Sequence, residues 1–363
     1  MTLITDITKL ESDWLTVTIA QAVNDAILSG AGEPGIVANI AQNIPNYLKR
    51  IAKVGKYELA SGSVANVPGT VFVHQTPKVT FEGMPKTSGG RPGSIEIGDL
   101  LLLSTIKPLK GDTQRRAMLL QAKMFDKLPV RQTGNDAQHK LYKDWPIFKY
   151  HRSGTELNDK YRFIYGPDLY GATKYLLLSK TVDPLMSWHH WFQNGINFLG
   201  ALTAEPTKQL SKYLCFVHEM HDFILGNRGK IYNLLEPTEY ERNSKDHSLI
   251  ASICVEHCRP CWMVEVAEEG WELVINDLLT VTASKTTRLM KTAPGSDRSG
   301  ERGVNISMLL NEPTSSLMKV SKRLGGGRNE PPPEERIDDG EPGNGLNVVE
   351  IVLTETEDQS NRE

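Results

Sequence analysis

The sequence predicts an α/β fold, a mixed-sheet core flanked by helices, followed by an α+β C-terminal region. Three observations carry this expectation. Two short apolar runs between residues 94 and 125 are joined by a polar, glycine-containing loop from Lys107 to Gln114, the pattern of a β-hairpin. Two stretches with helical spacing precede that hairpin, and β-rich runs lie between them and it. A helix-patterned stretch and a further apolar strand then follow, an order of elements that suits a sheet sandwiched between helices.

In chain order, residues 12 to 29 fit an amphipathic helix. Leu15, Ile19, Ala22, Val23 and Ala26 fall on one face, with Ser12 as N-cap and Gly30 as stop. Glu33-Pro34-Gly35 opens a second helix whose stripe is Ile36, Val37, Ile40, Ala41 and Ile44, proline suiting the first helical position because its missing N–H has no partner there. Pro45 is expected to break that stripe and Tyr47 to Val54 to resume it. Residues 57 to 87 read as loop and strand, with β-rich runs at Thr70 to Val73 and Lys78 to Phe81. Beyond the hairpin, Gln138 and Tyr142 are four apart and share one face of a helix that Pro146 would end. Strands are expected near Tyr161 to Tyr165 and at Tyr175 to Leu178, and an amphipathic helix over 209 to 225 with Gly226 as its stop.

Further on, Glu272 to Ile275 and Leu278 to Val281 read as strand or buried-helix pieces, 284 to 302 as a loop, and Val304 to Leu310 as a strand. Residues 325 to 345 are rich in Gly, Pro and acids with almost nothing to bury, as in a flexible linker. Leu346 to Leu353 suits a strand added to a sheet edge, either the chain's own or a partner's. The resulting division is 1–60 N-terminal helices, 61–180 core, 181–324 C-terminal region, 325–345 linker, and 346–363 terminal strand and acidic tail.

Bulk properties narrow the function. With 363 residues and 39% hydrophobic content the chain can build a sizeable core, and a net charge of −3 argues against a globally basic nucleic-acid binder. Contact with nucleic acid must come from a local patch, and the best one is Lys107, Lys110, Arg115, Arg116, Lys123, Lys127 and Arg131, opposed by Asp112 and Asp126. No basic segment with an apolar core opens the chain and no apolar run reaches a membrane span, so a soluble, cytoplasmic protein is expected. Four cysteines over this length do not make a disulfide framework.

The hairpin holds the chemistry. Gln121 and Lys123 share the face of Leu119, and Asp99 stands on the neighbouring strand. If the strands pair near those positions, a carboxylate, an amide oxygen and an ammonium converge. That is what a hydrolase needs for Mg²⁺ (or Mn²⁺) and an attacking water: oxygen ligands for a hard cation and a positive group beside the reacting phosphate.

Asp99, then Gln121-Ala122-Lys123, then Gln138-x-x-x-Tyr142, approached through Ser88-Gly-Gly-Arg91-Pro-Gly93, resembles the PD-(D/E)xK nuclease superfamily, in particular its RecB-like and restriction-enzyme-like members. The resemblance implies a restriction-endonuclease-like core and a Mg²⁺-dependent nuclease that acts on DNA, in bacterial restriction or phage defence. By it, Asp99 and Gln121 would ligate metal, Lys123 would position the water, and Gln138 and Tyr142 would contact substrate. The double arginine Arg115-Arg116 would add to that contact. Members often carry another acid on the helix before the sheet, for which Glu33 is the candidate; an acid is also favoured there by the helix dipole alone. The chain departs from the pattern at Gln121, where an acid is commoner and brings a negative charge that glutamine lacks. Glu96 has opposite parity to Asp99 on a regular strand and is not expected to compensate, unless Gly98 marks a bulge.

Two other readings stand beside this one. A chain lacking a second acid at the metal site would be a catalytically inactive nuclease-fold scaffold that binds nucleic acid, a protein partner or a second copy of itself. Cys254-x-x-x-Cys258-x-x-Cys261 has the spacing with which radical S-adenosylmethionine enzymes hold an Fe–S cluster, and with nearby His or Cys could hold Zn²⁺; three reduced, packed cysteines are the simpler reading. His218 and His221 are three apart rather than the four of a zincin helix.

Overall fold

The computed structural model describes residues 4, 7–29, 32–64, 77–84, 93–126, 137–151, 157, 160–164, 169, 171–179, 200–207, 210–257, 270–292, 314–325 and 346–357. Its main element is a nine-stranded mixed sheet. The sheet contains β1 (Lys53–Val54), β2 (Tyr57–Val64), β5 (Leu100–Lys107), β6 (Gln114–Phe125), β9 (Thr173–Ser179), β10 (Ala201–Glu205), β11 (Ser211–Cys215), β12 (Lys230–Ile231) and β13 (Asn347–Glu355). Their order is β1-β2-β13-β5-β6-β9-β10-β11, with β12 paired to β6. A four-stranded sheet, β4-β3-β7-β8, is made by β3 (Lys78–Phe81), β4 (Ile95–Glu96), β7 (Phe148–His151) and β8 (Tyr161–Arg162).

Helices cover both faces. On one lie α1 (Lys9–Leu28), α2 (Glu33–Leu48) and α4 (Phe216–Ile224), packed against Leu100, Leu102 and Ile106 of β5. On the other lie α3 (Ala137–Asp144), α6 (Gly270–Thr292) and α7 (Ser316–Gly325), with the small sheet, against Leu101 and Leu103. The run Leu100 to Leu103 is apolar throughout because both faces of this strand are buried, as in the interior of a helix-covered sheet. α5 (Pro237–His257) packs on β8 and α6, where Arg162 is held in the interior by Asp277, its Nε donating at 2.8 Å. Among the described residues no helix is long and apolar enough to cross a membrane.

Several expectations hold and several are corrected. The β5–β6 hairpin forms across the expected loop, antiparallel from Leu100↔Leu120 to Ile106↔Gln114, and β9 runs parallel to β6. α1 starts earlier than expected: its N-cap is Thr8, whose side chain and backbone form a capping box with Glu11, so Ser12 lies inside the helix. α2 runs through Pro45 to Leu48, because a proline so near the end removes one hydrogen bond from a helix about to stop, and the chain then forms β1 rather than more helix. The expected helix over 209 to 225 is two elements, since Ser211–Cys215 extends the sheet as β11 and only Phe216–Ile224 is helical. The two pieces at 272–275 and 278–281, and the start of the expected loop at 284, are one helix, α6. β8 belongs to the small sheet, not the main one.

The largest correction concerns β13. It is not an edge strand: it lies between β2 and β5, antiparallel to the first and parallel to the second. Strands β10, β11 and β12, all from the 181–324 region, join the same sheet as the hairpin. The expected strands at 70–73 and 304–310 and the 326–345 linker lie outside the described residues, as does Gly30.

Candidate metal centre at the open end of the hairpin

Asp99 sits immediately before β5, and the register Leu100↔Leu120 brings it beside Gln121. Its backbone is fixed from two sides. Its N–H donates to Leu120 O at 2.9 Å, while its carbonyl accepts from Asn347 N at 2.9 Å and from Asn347 Nδ2 at 3.0 Å. Its carboxylate faces the end of β6, where Oδ2 accepts from Ala122 N at 2.7 Å and from Gln121 Nε2. Gly98, just upstream, is required by close packing: a Cβ there would come within 2.9 Å of the Tyr142 hydroxyl and 2.7 Å of the Leu119 side chain.

Two further acids approach from different elements. Glu33, the first residue of α2, does not cap its own helix with the oxygen that matters here; Oε2 accepts from Met124 N at 2.7 Å, which ties the helix start to the end of β6. Glu96 belongs to β4 in the small sheet, and the chain turns between it and Asp99, Ile97 N donating to Pro77 O at 3.1 Å. The parity expectation for Glu96 applies within one regular strand, and here Glu96 lies in β4 of the small sheet while Asp99 lies outside any strand, just before β5 of the main sheet. Glu96 therefore contributes to the field at Asp99.

That field is visible in the proton affinity of Asp99. Burial and then the Glu96 charge push its carboxyl up to about 7; the Ala122 N–H pulls down, Glu33 pushes up, and the Lys123 ammonium pulls down. Gln121 is buried, and its Oε1 has no hydrogen-bond partner among the described residues. An amide oxygen is a donor of the right kind for a hard divalent cation, but here the amide presents Nε2 to Asp99, and a flip of the amide would be needed to turn Oε1 toward that carboxylate. Among the described residues no group of three or more His, Cys, Asp or Glu side chains is placed to hold a metal ion.

The sign of the resulting pH dependence follows directly. Without metal, the folded chain keeps a proton on Asp99 between its ordinary value of 3.8 and about 7, where the unfolded chain has lost it. Stability therefore falls as pH rises through that window and levels off above it. Urea unfolding in EDTA at several pH values should show this slope, and Asp99→Asn should flatten it.

Of the residues expected at the site, Asp99, Gln121, Lys123 and Glu33 are brought to one end of the sheet. Tyr142 is near but not open to substrate. It is completely buried, its hydroxyl donates to Ile97 O at 2.9 Å, and burial together with the Asp99 charge holds the phenol well above its ordinary value. Its part is to brace the turn that carries Asp99. Gln138 is half-buried in the first turn of α3. Arg115 and Arg116 are not brought here: they lie at the loop end of β6, about 27 and about 24 Å from Lys123 at roughly 3.4 Å per residue. Arg116 Nη1 donates to Gly229 O at 3.1 Å. Cys258 and Cys261 lie outside the described residues, and Cys254 falls within α5. On α4, His221 Nε2 hydrogen-bonds Ser12 Oγ at 2.9 Å, which joins the helix to α1.

Compared with protein-family models, with curated proteins and with solved structures, the chain gives no match.

Proposed function

We propose that this chain is a Mg²⁺-dependent nuclease that hydrolyses DNA phosphodiester bonds on a core of PD-(D/E)xK type. The observation that carries the reading is the meeting of the Asp99 carboxylate and the Gln121 amide at the end of β6, two residues before Lys123 and beside the strand end to which Glu33 is bonded. The order α2, β5, β6, α3, β9 also supports it: an antiparallel hairpin, then a helix, then a strand parallel to the second arm. Restriction or phage defence, the setting we attach to it, comes from the resemblance of the motif.

Asp99, the Gln121 oxygen and Glu33 would hold the metal, with Glu96 adding negative charge that glutamine lacks. When bound, Mg²⁺ would supply a Lewis acid that polarises the scissile phosphate and makes water a better nucleophile. Asp99 must be ionised for this, so its proton has to leave before the site can work. Lys123 orients the attacking water and offsets charge as the new P–O bond forms and the ester bond breaks, the proton passing to the leaving oxygen. Asn347 and Tyr142 keep the Asp99 backbone in place.

The reading is tested by incubating the full chain with plasmid and linear DNA in Mg²⁺ or Mn²⁺. A chain that binds neither cation and cuts neither substrate overturns it. The scaffold reading is favoured by one specific feature, the glutamine at position 121; it expects DNA binding that Asp99→Ala leaves unchanged. Gln121→Glu separates the two sharply. In a metal site it should raise Mg²⁺ affinity by on the order of tenfold by adding a charged ligand, and without metal it should lower the melting temperature, since two carboxylates would then be pressed together. Calorimetric titration and thermal unfolding in EDTA read both.

A further inference from the structure

The hairpin is charged at its other end as well. Lys107 closes β5, Arg115 is the second residue of β6, and Lys319 and Arg323 lie on α7. Thr105 pairs with Arg115, so Lys107 and Arg115 have the parity of Leu101, Leu103, Ala117 and Leu119 and project from the face on which α7 packs through Leu317 and Val320. Tyr232 ties α7 to this end of the hairpin, its N–H donating to Arg115 O at 3.1 Å and its hydroxyl hydrogen-bonding Ser316 Oγ at 2.9 Å; burial and then the charges of Arg115, Arg323 and Lys107 hold the Lys319 ammonium below its ordinary value, with Glu236 acting in the opposite sense.

The compensation is incomplete. Glu236 is engaged by Arg323, whose Nη2 donates to it at 2.7 Å. Among the described residues, Lys107, Arg115 and Lys319 have no carboxylate partner, and the buried Arg115 Nε has no hydrogen-bond acceptor at all. Like charges gathered from three elements repel one another and cost stability unless an anion joins them. The planar guanidinium fork with two flexible ammonium groups is a combination suited to phosphate oxygens.

We propose that Lys107, Arg115 and Lys319 form a phosphate-binding site at the loop end of the β5–β6 hairpin, separate from the candidate metal centre, that takes the phosphates of a nucleotide or of free polyphosphate. The site stands whether or not the chain is a nuclease, because it shares no residue with the metal centre. It also gives the arginine at position 115 a partner where the nuclease reading gives it none.

The test is calorimetric titration of the full chain with orthophosphate, pyrophosphate and ATP, in EDTA and without divalent cations, so that nothing bridges a probe to Asp99. The expected result is saturable binding of at least one probe, weakened about tenfold or more by Lys107→Glu and by Lys319→Gln, the scale set by losing one charge-assisted contact. Lys107 is exposed, so its reversal leaves the core intact, and Lys53→Glu, an equal charge change at an exposed position of β1, should bind as the unchanged chain does. ATP binding more tightly than pyrophosphate would assign the site to a nucleotide, and equal binding to free polyphosphate. Absence of binding for every probe, affinity unchanged in Lys107→Glu, or binding of a short DNA duplex but of no free phosphate would each overturn it.

Discussion

Lys123→Ala should remove Mg²⁺-dependent DNA cleavage, by roughly 100- to 1,000-fold or more, the cost of deleting one positive group aimed at charge that develops in a transition state. Lys123 is half-buried near the end of β6, and its side chain makes no hydrogen bond or ion pair with the described residues, so the melting temperature should barely change. It also acts on its neighbour. The Lys123 ammonium is the nearby positive charge that lowers the proton affinity of Asp99, and its removal leaves burial, Glu96 and Glu33 to push that carboxyl higher than about 7. Any residual activity in Lys123→Ala should therefore have its acid limb displaced to higher pH, since more base is needed to ionise Asp99. Lys123→Arg keeps the charge with a different geometry, and it should hold the acid limb near its original place while recovering only part of the rate. Loss of rate with an unmoved pH profile would mean that Lys123 is not part of the field at Asp99. Undiminished cleavage in Lys123→Ala would remove the proposed centre.

The part of this site that could be read from the sequence is the part governed by local pattern. Four leucines followed by a polar loop and a second apolar run specify a hairpin buried on both faces, and the period of two then puts Gln121 and Lys123 together and near Asp99. Glu33 was legible as an acid at a helix start, although its bond to Met124 N depends on how α2 meets the sheet. What local pattern misses is anything decided by distant chain. A parity rule that assumes one continuous strand, with a bulge at Gly98 as the alternative, points Glu96 away from Asp99, but Glu96 belongs to β4 in the small sheet and the chain bends at Ile97 before β5 begins. Tyr142 has the spacing of a substrate contact, but the aromatic packing of Trp145 and Tyr175 around it encloses the ring. The 209–225 segment has helical spacing throughout, yet Ser211–Cys215 pairs with β10, because a sheet edge offers its backbone hydrogen bonds that the helix would otherwise have to supply. Asn347 is 248 residues from Asp99, and no periodicity in either stretch announces that they touch.

That distant contact leads to the largest stability effect expected of this chain, the loss of cooperative folding when residues from 346 onward are removed. β13 is paired along its length on both sides, from Val348↔Val64 to Glu355↔Tyr57 with β2 and from Asn347↔Leu100 to Thr354↔Lys107 with β5. Its removal leaves the facing backbone groups of both neighbours without partners in the interior, where each costs about 1–3 kcal/mol. It also takes out Val348 and Val352 from one core and Val349, Ile351 and Leu353 from the other, all essentially inaccessible to water. Glu350 goes with them, and its carboxylate accepts from Ser315 Oγ at 2.8 Å, Ser316 N at 2.6 Å and Leu317 N at 3.2 Å at the start of α7. These losses together exceed the whole stability of an ordinary domain, about 5–15 kcal/mol. The truncated chain should lack a cooperative urea transition, and Ile351→Ala in the full chain should shift the transition by about 2–5 kcal/mol. Asn347→Ala isolates the other role of the strand: it deletes the side-chain bond to the Asp99 carbonyl and leaves the backbone pairing of β13 in place, so it should cost far less stability than the truncation but slow cleavage, because the residue that carries the carboxylate is then held by one bond fewer. A truncated chain that unfolds at an unchanged urea concentration would show that β2 and β5 can close directly on one another, and that β13 is an insertion rather than the strand that joins the two halves of the sheet.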